Sequence, residues 1–182
     1  TEPRQIDVTD RREHPATDMA LHKTTSTVVE SRAESLERTQ GGIVGGASTK
    51  PHTIGSDLMK RLIEFGFKGR IYPVNPKGGM IEGLQAYPSV LDIEGPVDMA
   101  VIVVNSKFVL STIDQCHEKG VKGIVVISAG FKESGKEGAE MEAQLYERVK
   151  KYGMRCVGPN CLGVVNTHPD CLLYTSDAAD EL

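Results

Sequence analysis

Lys119-Gly120-Val121-Lys122-Gly123-Ile124-Val125-Val126-Ile127 decides how the chain reads. Gly120 suits the left-handed position just past a helix, because it has no Cβ to clash there. The apolar run that follows, Ile124 to Ile127, has the pattern of a strand buried on both faces. The same junction recurs twice. Phe65-Gly66-Phe67-Lys68-Gly69-Arg70 precedes Ile71-Tyr72-Pro73-Val74, and Tyr152-Gly153-Met154-Arg155 precedes Cys156-Val157. Met99 to Val104 is another continuous apolar run. The segments before the junctions carry apolar residues at helical spacing. These are Ile54, Leu58, Leu62 and Phe65, then Val109, Ile113 and Cys116, then Met141, Leu145, Val149 and Tyr152. Strand, helix, strand, repeated, predicts an α/β fold: a Rossmann-like doubly wound parallel sheet with helices on both faces. Right-handed crossovers bring the strands' carboxyl ends to one edge, where function is expected.

Outward from this core the sequence changes character. Residues 1–40 are rich in Thr, Ser, Glu and Arg, and no Phe, Tyr or Trp precedes Phe65. A polar, disordered extension is therefore the compositional expectation here, with Val28 to Leu36 as a short exposed helix at most. The chain begins at Thr1, and its natural start is expected upstream. At the other end, Cys171 to Glu181 reads CLLYTSDAADE and resembles a translated sequencing-library adapter, so residues 168–182 are set aside as a tail. That leaves 41–167 as the domain.

Composition narrows the function classes. A formal net charge of −4 argues against a nucleic-acid partner. No apolar run approaches the roughly 18–20 residues that cross a bilayer, and no signal peptide is visible, so a cytoplasmic protein without a membrane partner is expected. Cys116, Cys156, Cys161 and Cys171 form no CxxC pair and no finger-like spacing with His, so reduced thiols and no metal are expected.

The loops at the carboxyl edge carry the chemistry. After Gly42-Ile43-Val44-Gly45 comes Gly46-Ala47-Ser48-Thr49-Lys50-Pro51-His52-Thr53-Ile54-Gly55. Small residues let backbone N–H groups and a helix N-terminus approach a phosphate, and Ser48 and Lys50 add a hydroxyl and a charge. An ordinary tight turn has a similar composition. The loop lacks the close glycines of GxGxxG. The second strand ends Val74-Asn75-Pro76-Lys77, with no acid before Glu82 where a dinucleotide site binds its ribose hydroxyls. Lys77 instead suits a phosphorylated ribose, as in coenzyme A or NADP; a plain surface lysine is the alternative. Ser106 is expected to cap the next helix, which leaves Asn105 for a ligand. Lys132 to Gly138 reads as a charged loop. In Gly158-Pro159-Asn160-Cys161, Asn160 offers both a donor and an acceptor. Cys161 reads as a packed or ligand-lining thiol, since His168 is not an evident base for it. His14, His22 and His117 read as surface groups, with His52 alone near a ligand.

The series GGASTKPHTIG, GFKGRIYPVNPK, YPSV, PVDMAVIVV, GVKGIVVISAGFKESG and YGMRCVGPNCLGVVNT resembles, in the same order, the N-terminal CoA-binding domain of NDP-forming acyl-CoA synthetases. ADP-forming acetate–CoA ligases are the nearer members, and the succinyl-CoA synthetase alpha subunit is a distant one. The resemblance covers Gly42 to Asn166. Gly45 departs from an aliphatic residue usual in the family, and Asn105 from a common Pro.

The resemblance implies coenzyme A along the carboxyl edge. Gly46, Ala47, Ser48, Lys50 and Gly55 would surround its phosphates, Lys77 would meet the phosphorylated nucleotide end, and Asn75 beside it would belong to the CoA-binding residues. Val104, Asn105, Ser128, Ala129 and Gly130 would line the cleft, with Asn160 and Cys161 toward the thiol. It further implies that the full enzyme is an acid–thiol ligase interconverting acyl-CoA, NDP and phosphate with acid, CoA and NTP. The phosphorylated histidine of the family belongs to the next domain, and ADP/ATP and Mg to an ATP-grasp module. The present chain holds neither, so no catalytic residue is expected in it and the fragment alone is expected to be inactive. An NADP-binding oxidoreductase domain and a non-catalytic, regulatory CoA-binding protein remain as alternatives. Fusion to an acetyltransferase-like domain is open.

Overall fold

The computed structural model describes residues 41–166 and 173–174. The expected polar extension, 1–40, and most of the tail lie outside the described residues.

Five strands form one parallel sheet: β1 (Gly41–Gly45), β2 (Arg70–Val74), β5 (Met99–Ile102), β6 (Gly123–Val126) and β7 (Arg155–Val157). Their order is β2-β1-β5-β6-β7. The register is continuous, for example Val44 opposite Pro73 and Val101, and Val101 opposite Val125. Helices α1 (Ile54–Glu64), α2 (Ser106–Lys119) and α3 (Lys136–Lys151) complete the layers. All three junction glycines take left-handed backbone, Gly66 at φ 70°, Gly120 at 86° and Gly153 at 63°, so each ends its helix as its sequence requires.

The two faces of the sheet are covered unequally. On one, Val109, Ile113 and Cys116 of α2 and Leu145 and Val149 of α3 pack on Ala100, Ile102, Ile124 and Val126. On the other, Leu58, Met59 and Leu62 of α1 pack on Met99, Val101 and Val125. The stripe read for α1 is corrected at its ends. Ile54 is 60% exposed and Phe65 lies at the C-cap, 37% exposed, while Met59 is fully buried. A helix buries a contiguous face, and Met59, adjacent to Leu58 and three before Leu62, belongs to it.

The strand–helix alternation breaks between β2 and β5. Asn75-Pro76, Gly78-Gly79, Gly83 and Pro88 stop a helix there. A hairpin of β3 (Gly79–Ile81) and β4 (Leu84–Ala86) replaces it. Its two-residue turn, Glu82 and Gly83, has φ of 47° and 78°, matching the right-handed strand twist. Ile81 and Ala86 are buried on the α1 side. A further antiparallel pair joins β8 (Val165–Asn166) to β9 (Leu173–Tyr174).

Candidate functional site

All five parallel strands end at one edge, and there the backbone diverges. The loop after β1 runs toward α1 on one face, and the loop after β5 runs toward α2 on the other. Ligands of open α/β sheets occupy the crevice at such a switch point. The connecting loops, 46–53, 75–78, 103–105, 127–135 and 158–164, hold Lys50, Lys77 and Lys132 against a single acid, Glu133. A chain of net charge −4 thus presents a locally cationic edge, which favours an anionic ligand.

The first loop is held by close backbone approach. Gly46 has φ 91°, and a Cβ on it would lie 2.8 Å from the Val103 carbonyl carbon. A Cβ on Gly55, the second residue of α1, would run into the carbonyl oxygen of Gly46. Ala47 is fully buried. Beyond it the loop comes outward: Ser48 is half-buried, while Thr49, Lys50, Pro51 and His52 are exposed. Ser48 Oγ accepts from the Lys50 amide at 3.0 Å. Thr53 caps α1, accepting from the Ser56 amide at 3.3 Å, while its hydroxyl donates to the Lys50 carbonyl at 2.9 Å.

Asn75 joins this loop to the end of β2. Its Nδ2 donates to the Ala47 carbonyl at 2.7 Å, and its Oδ1 accepts from the Lys77 amide at 2.9 Å. Lys77 itself is exposed.

At the β5 end the capping assignment is reversed. Asn105, not Ser106, is the N-cap of α2, and its side chain accepts from the Lys107 amide at 3.2 Å. Asn is among the residue types that cap a helix N-terminus well. Ser106 lies inside the first turn, where a Cβ on Gly130 would come within 2.7 Å of its Oγ. Gly130, at φ 100°, lets the β6 loop close onto α2 there.

Ser128 is 7% exposed. Its hydroxyl donates to the Val104 carbonyl at 2.6 Å and accepts from the Val104 amide at 3.1 Å. It therefore stitches the ends of β5 and β6 together. Ala129 is exposed and Val104 half-buried on the same rim. The Asn160 amide donates to the Ser128 carbonyl at 3.1 Å, extending the rim to β7, and Asn160 is exposed at φ 51°.

Cys161 turns the other way. Its Sγ lies 3.3 Å from the Val126 carbonyl, and it lines a pocket of about 120 Å³ with Ile54, Asp57, Leu58, Arg61, Ile127 and Leu162. Cys116 is buried among apolar residues, and that burial pushes its thiol up to about 12, so it is no nucleophile at neutral pH. Among the described residues no group of His, Cys, Asp and Glu is arranged to hold a metal, and no helix is long and apolar enough to cross a membrane.

The segment read as one charged loop, Lys132 to Gly138, is corrected. Lys132–Ser134 is a 3-10 turn and α3 already begins at Lys136. The turn is closed by Glu133, whose carboxylate accepts from the Phe131 amide at 3.1 Å and the Gly130 amide at 2.6 Å. These N–H groups hold its carboxyl below the usual glutamate range. A depressed pKa stabilises the fold above the ordinary glutamate range, and the gain is lost as pH falls through the folded value. Glu133→Gln is therefore expected to melt below the parent at pH 7, with the gap closing in acid. Paired thermal melts across pH check this, and a gap independent of pH would contradict it.

Fold and edge together define a Rossmann-like α/β domain with a candidate ligand crevice at the β1/β5 switch point. The chain belongs to the CoA binding domain family, which matches residues 43–167. It is 52% identical over 138 residues to the alpha subunit of acetate–CoA ligase [ADP-forming] I of Pyrococcus furiosus, covering 74% of this chain and 30% of that one. The crystal structure of PH0766 from Pyrococcus horikoshii superposes with a TM-score of 0.71 at 48% identity, covering 75% of this chain and 31% of that one. Acetyl-coenzyme A synthetase 1 of Ca. Korarchaeum cryptofilum, in complex with phosphate and ADP, gives a TM-score of 0.69 at 43% identity, covering 74% and 29%. The chain thus spans about 30% of the length of these relatives.

Proposed function

We propose that this domain binds coenzyme A along the carboxyl edge of the sheet, as the CoA-binding part of an NDP-forming acyl-CoA synthetase. The observation that carries the reading is the pairing of a small-residue loop at a helix N-terminus with Lys77, where a dinucleotide site would place an acid. The backbone of 46–49 and the first turn of α1 face the diphosphate. Lys77 pairs with the 3′-phosphate of the ribose. Val104, Asn105, Ala129 and Gly130 border the path of the pantetheine arm, and Asn160 stands at its far end. Ser128 and Asn75 hold these loops from behind.

The chain's own contribution is to bind and orient CoA. The ligase reaction, acyl-CoA + NDP + phosphate to acid + CoA + NTP, is the whole protein's in this reading. Phosphoryl transfer, with ADP/ATP and Mg, falls to parts of the relatives beyond the matched region, so this chain alone is expected not to turn over. The chemistry needs no membrane and no nucleic acid, and a cytoplasmic setting supplies CoA.

Calorimetric titration with CoA, dephospho-CoA and NADP tests the reading. CoA should bind best, and loss of its 3′-phosphate should cost roughly tenfold, the order of one charge-assisted contact. Lys77→Ala should erase that difference while leaving dephospho-CoA binding nearly unchanged. A preference for NADP would move the domain to the oxidoreductases, and a Lys77→Ala protein that still discriminates would remove Lys77 from the site.

A further inference from the structure

Asn75 uses every polar group it has on the protein itself. Its backbone amide donates to the Tyr87 carbonyl at 2.9 Å, and its carbonyl accepts from the Gly78 amide at 2.8 Å. Its side chain spans Ala47 on the first loop and Lys77 on the second, at 2.7 and 2.9 Å. The two segments are 28 residues apart in sequence. Ala47 is buried and fixed, whereas the chain on its far side, Thr49 to His52, is exposed. The stretch around Lys77 is equally open, with Pro76 and Lys77 exposed. The outer arms of both loops therefore take their relative position from a short rigid amide at their roots.

We propose that Asn75 is a positioning residue: it sets the separation between the phosphate loop and Lys77, so that two phosphorylated groups of one ligand are recognised together. The proposal rests on the CoA reading and adds how its two anionic ends are coupled. The residue type follows from the geometry. One planar group must donate to a carbonyl and accept from an amide in opposite directions, and Asn does both on a one-carbon stem. Asp would set an acceptor against the Ala47 carbonyl. Ser keeps an acceptor for the Lys77 amide, as in hydroxyl-closed turns, but its hydroxyl is too short to reach Ala47 as well.

The test compares the full chain with Asn75→Ala, Asn75→Ser, Lys77→Ala and Asn75→Ala/Lys77→Ala. Each is titrated with CoA and dephospho-CoA well below its melting temperature. In the parent, CoA should bind about tenfold more tightly than dephospho-CoA. Both Asn75 variants should lose most of that ratio, and the double variant should match Lys77→Ala, because residues acting through one contact are not additive. A residue that merely stabilised the fold would lower the melting temperature and leave the ratio intact. Either Asn75 variant, folded and keeping the parent ratio, would overturn the proposal; the Ser variant serves if the Ala variant does not fold. A parent that shows no ratio would instead overturn the CoA reading beneath it.

Discussion

Gly55→Ala is expected to lower the melting temperature by about 5–10 °C and to abolish CoA binding, although Ala is the better helix former. At an ordinary helical position the change would stabilise by about 0.5–1 kcal/mol. Gly55 lies in α1 with its Cα against the preceding loop. An added Cβ would run into the carbonyl oxygen of Gly46 and come within 3.1 Å of its carbon and 3.5 Å of the Ala47 Cα. All three are backbone atoms that no rotamer change can move. Gly46 cannot retreat, because its own Cα faces the carbonyl of Val103, the residue just past the neighbouring strand β5. Either α1 tilts off Met99 and Val101 or the 46–53 loop shifts, so stability and binding are expected to fall together. Thermal melts with a CoA titration check this. An unchanged or raised melting temperature would mean that loop and helix part freely, and the loop would then be no rigid cradle.

Phe131→Ala should cost about 3–5 kcal/mol, a large share of the roughly 5–15 kcal/mol that holds an ordinary domain together. Phe131 follows directly on the rim residues Ser128 to Gly130, yet it is fully buried in the cluster that includes Leu145 and Val149. Its carbonyl abuts Gly138 so closely that a Cβ there would lie 2.5 Å from the carbonyl carbon and 3.1 Å from the Cα. The ring thus anchors the rim to α3, and truncation leaves a cavity between rigid elements that cannot close over it. Urea unfolding should show a lower midpoint at an unchanged slope. A loss under about 1 kcal/mol would mean that the 131–138 segment collapses into the space.

Backbone punctuation was legible in the sequence. Gly66, Gly120 and Gly153 announced three helix ends, and the unbroken apolar runs announced strands covered on both sides. Side-chain capping was less so. The apolar run Met99–Val104 suggested a strand reaching Val104, which handed the cap to Ser106. The strand stops at Ile102, and the cap falls on Asn105. Two adjacent polar residues are equivalent in composition, and where the strand ends decides between them.

The hairpin β3–β4 is not legible in the sequence, because its strands are three residues each, too short for alternation to register. The Glu82-Gly83 pair was its available signal. Of the candidate site, the sequence shows the loop glycines, Lys77 and Asn75 as residue types at the ends of β1 and β2. What could not be read is that Asn75 and Ser128 spend their side chains on neighbouring loops, since such partners lie far apart along the chain. Nor could the orientation of Cys161 be read, because it depends on the turn at Gly158, where a Cβ would come within 3.1 Å of the sulfur.

The most direct test of CoA binding at this edge is an amide chemical-shift map of the 15N-labelled chain titrated with CoA. Binding across the switch point predicts shifts concentrated in 46–55, 75–78, 104–107, 128–131 and 160–161, with α2, α3 and the amino ends of the strands quiet beyond Lys107. Saturable shifts centred instead on the outer faces of α2 and α3, or on the opposite edge around Lys68, Asp98 and Lys122, would contradict it.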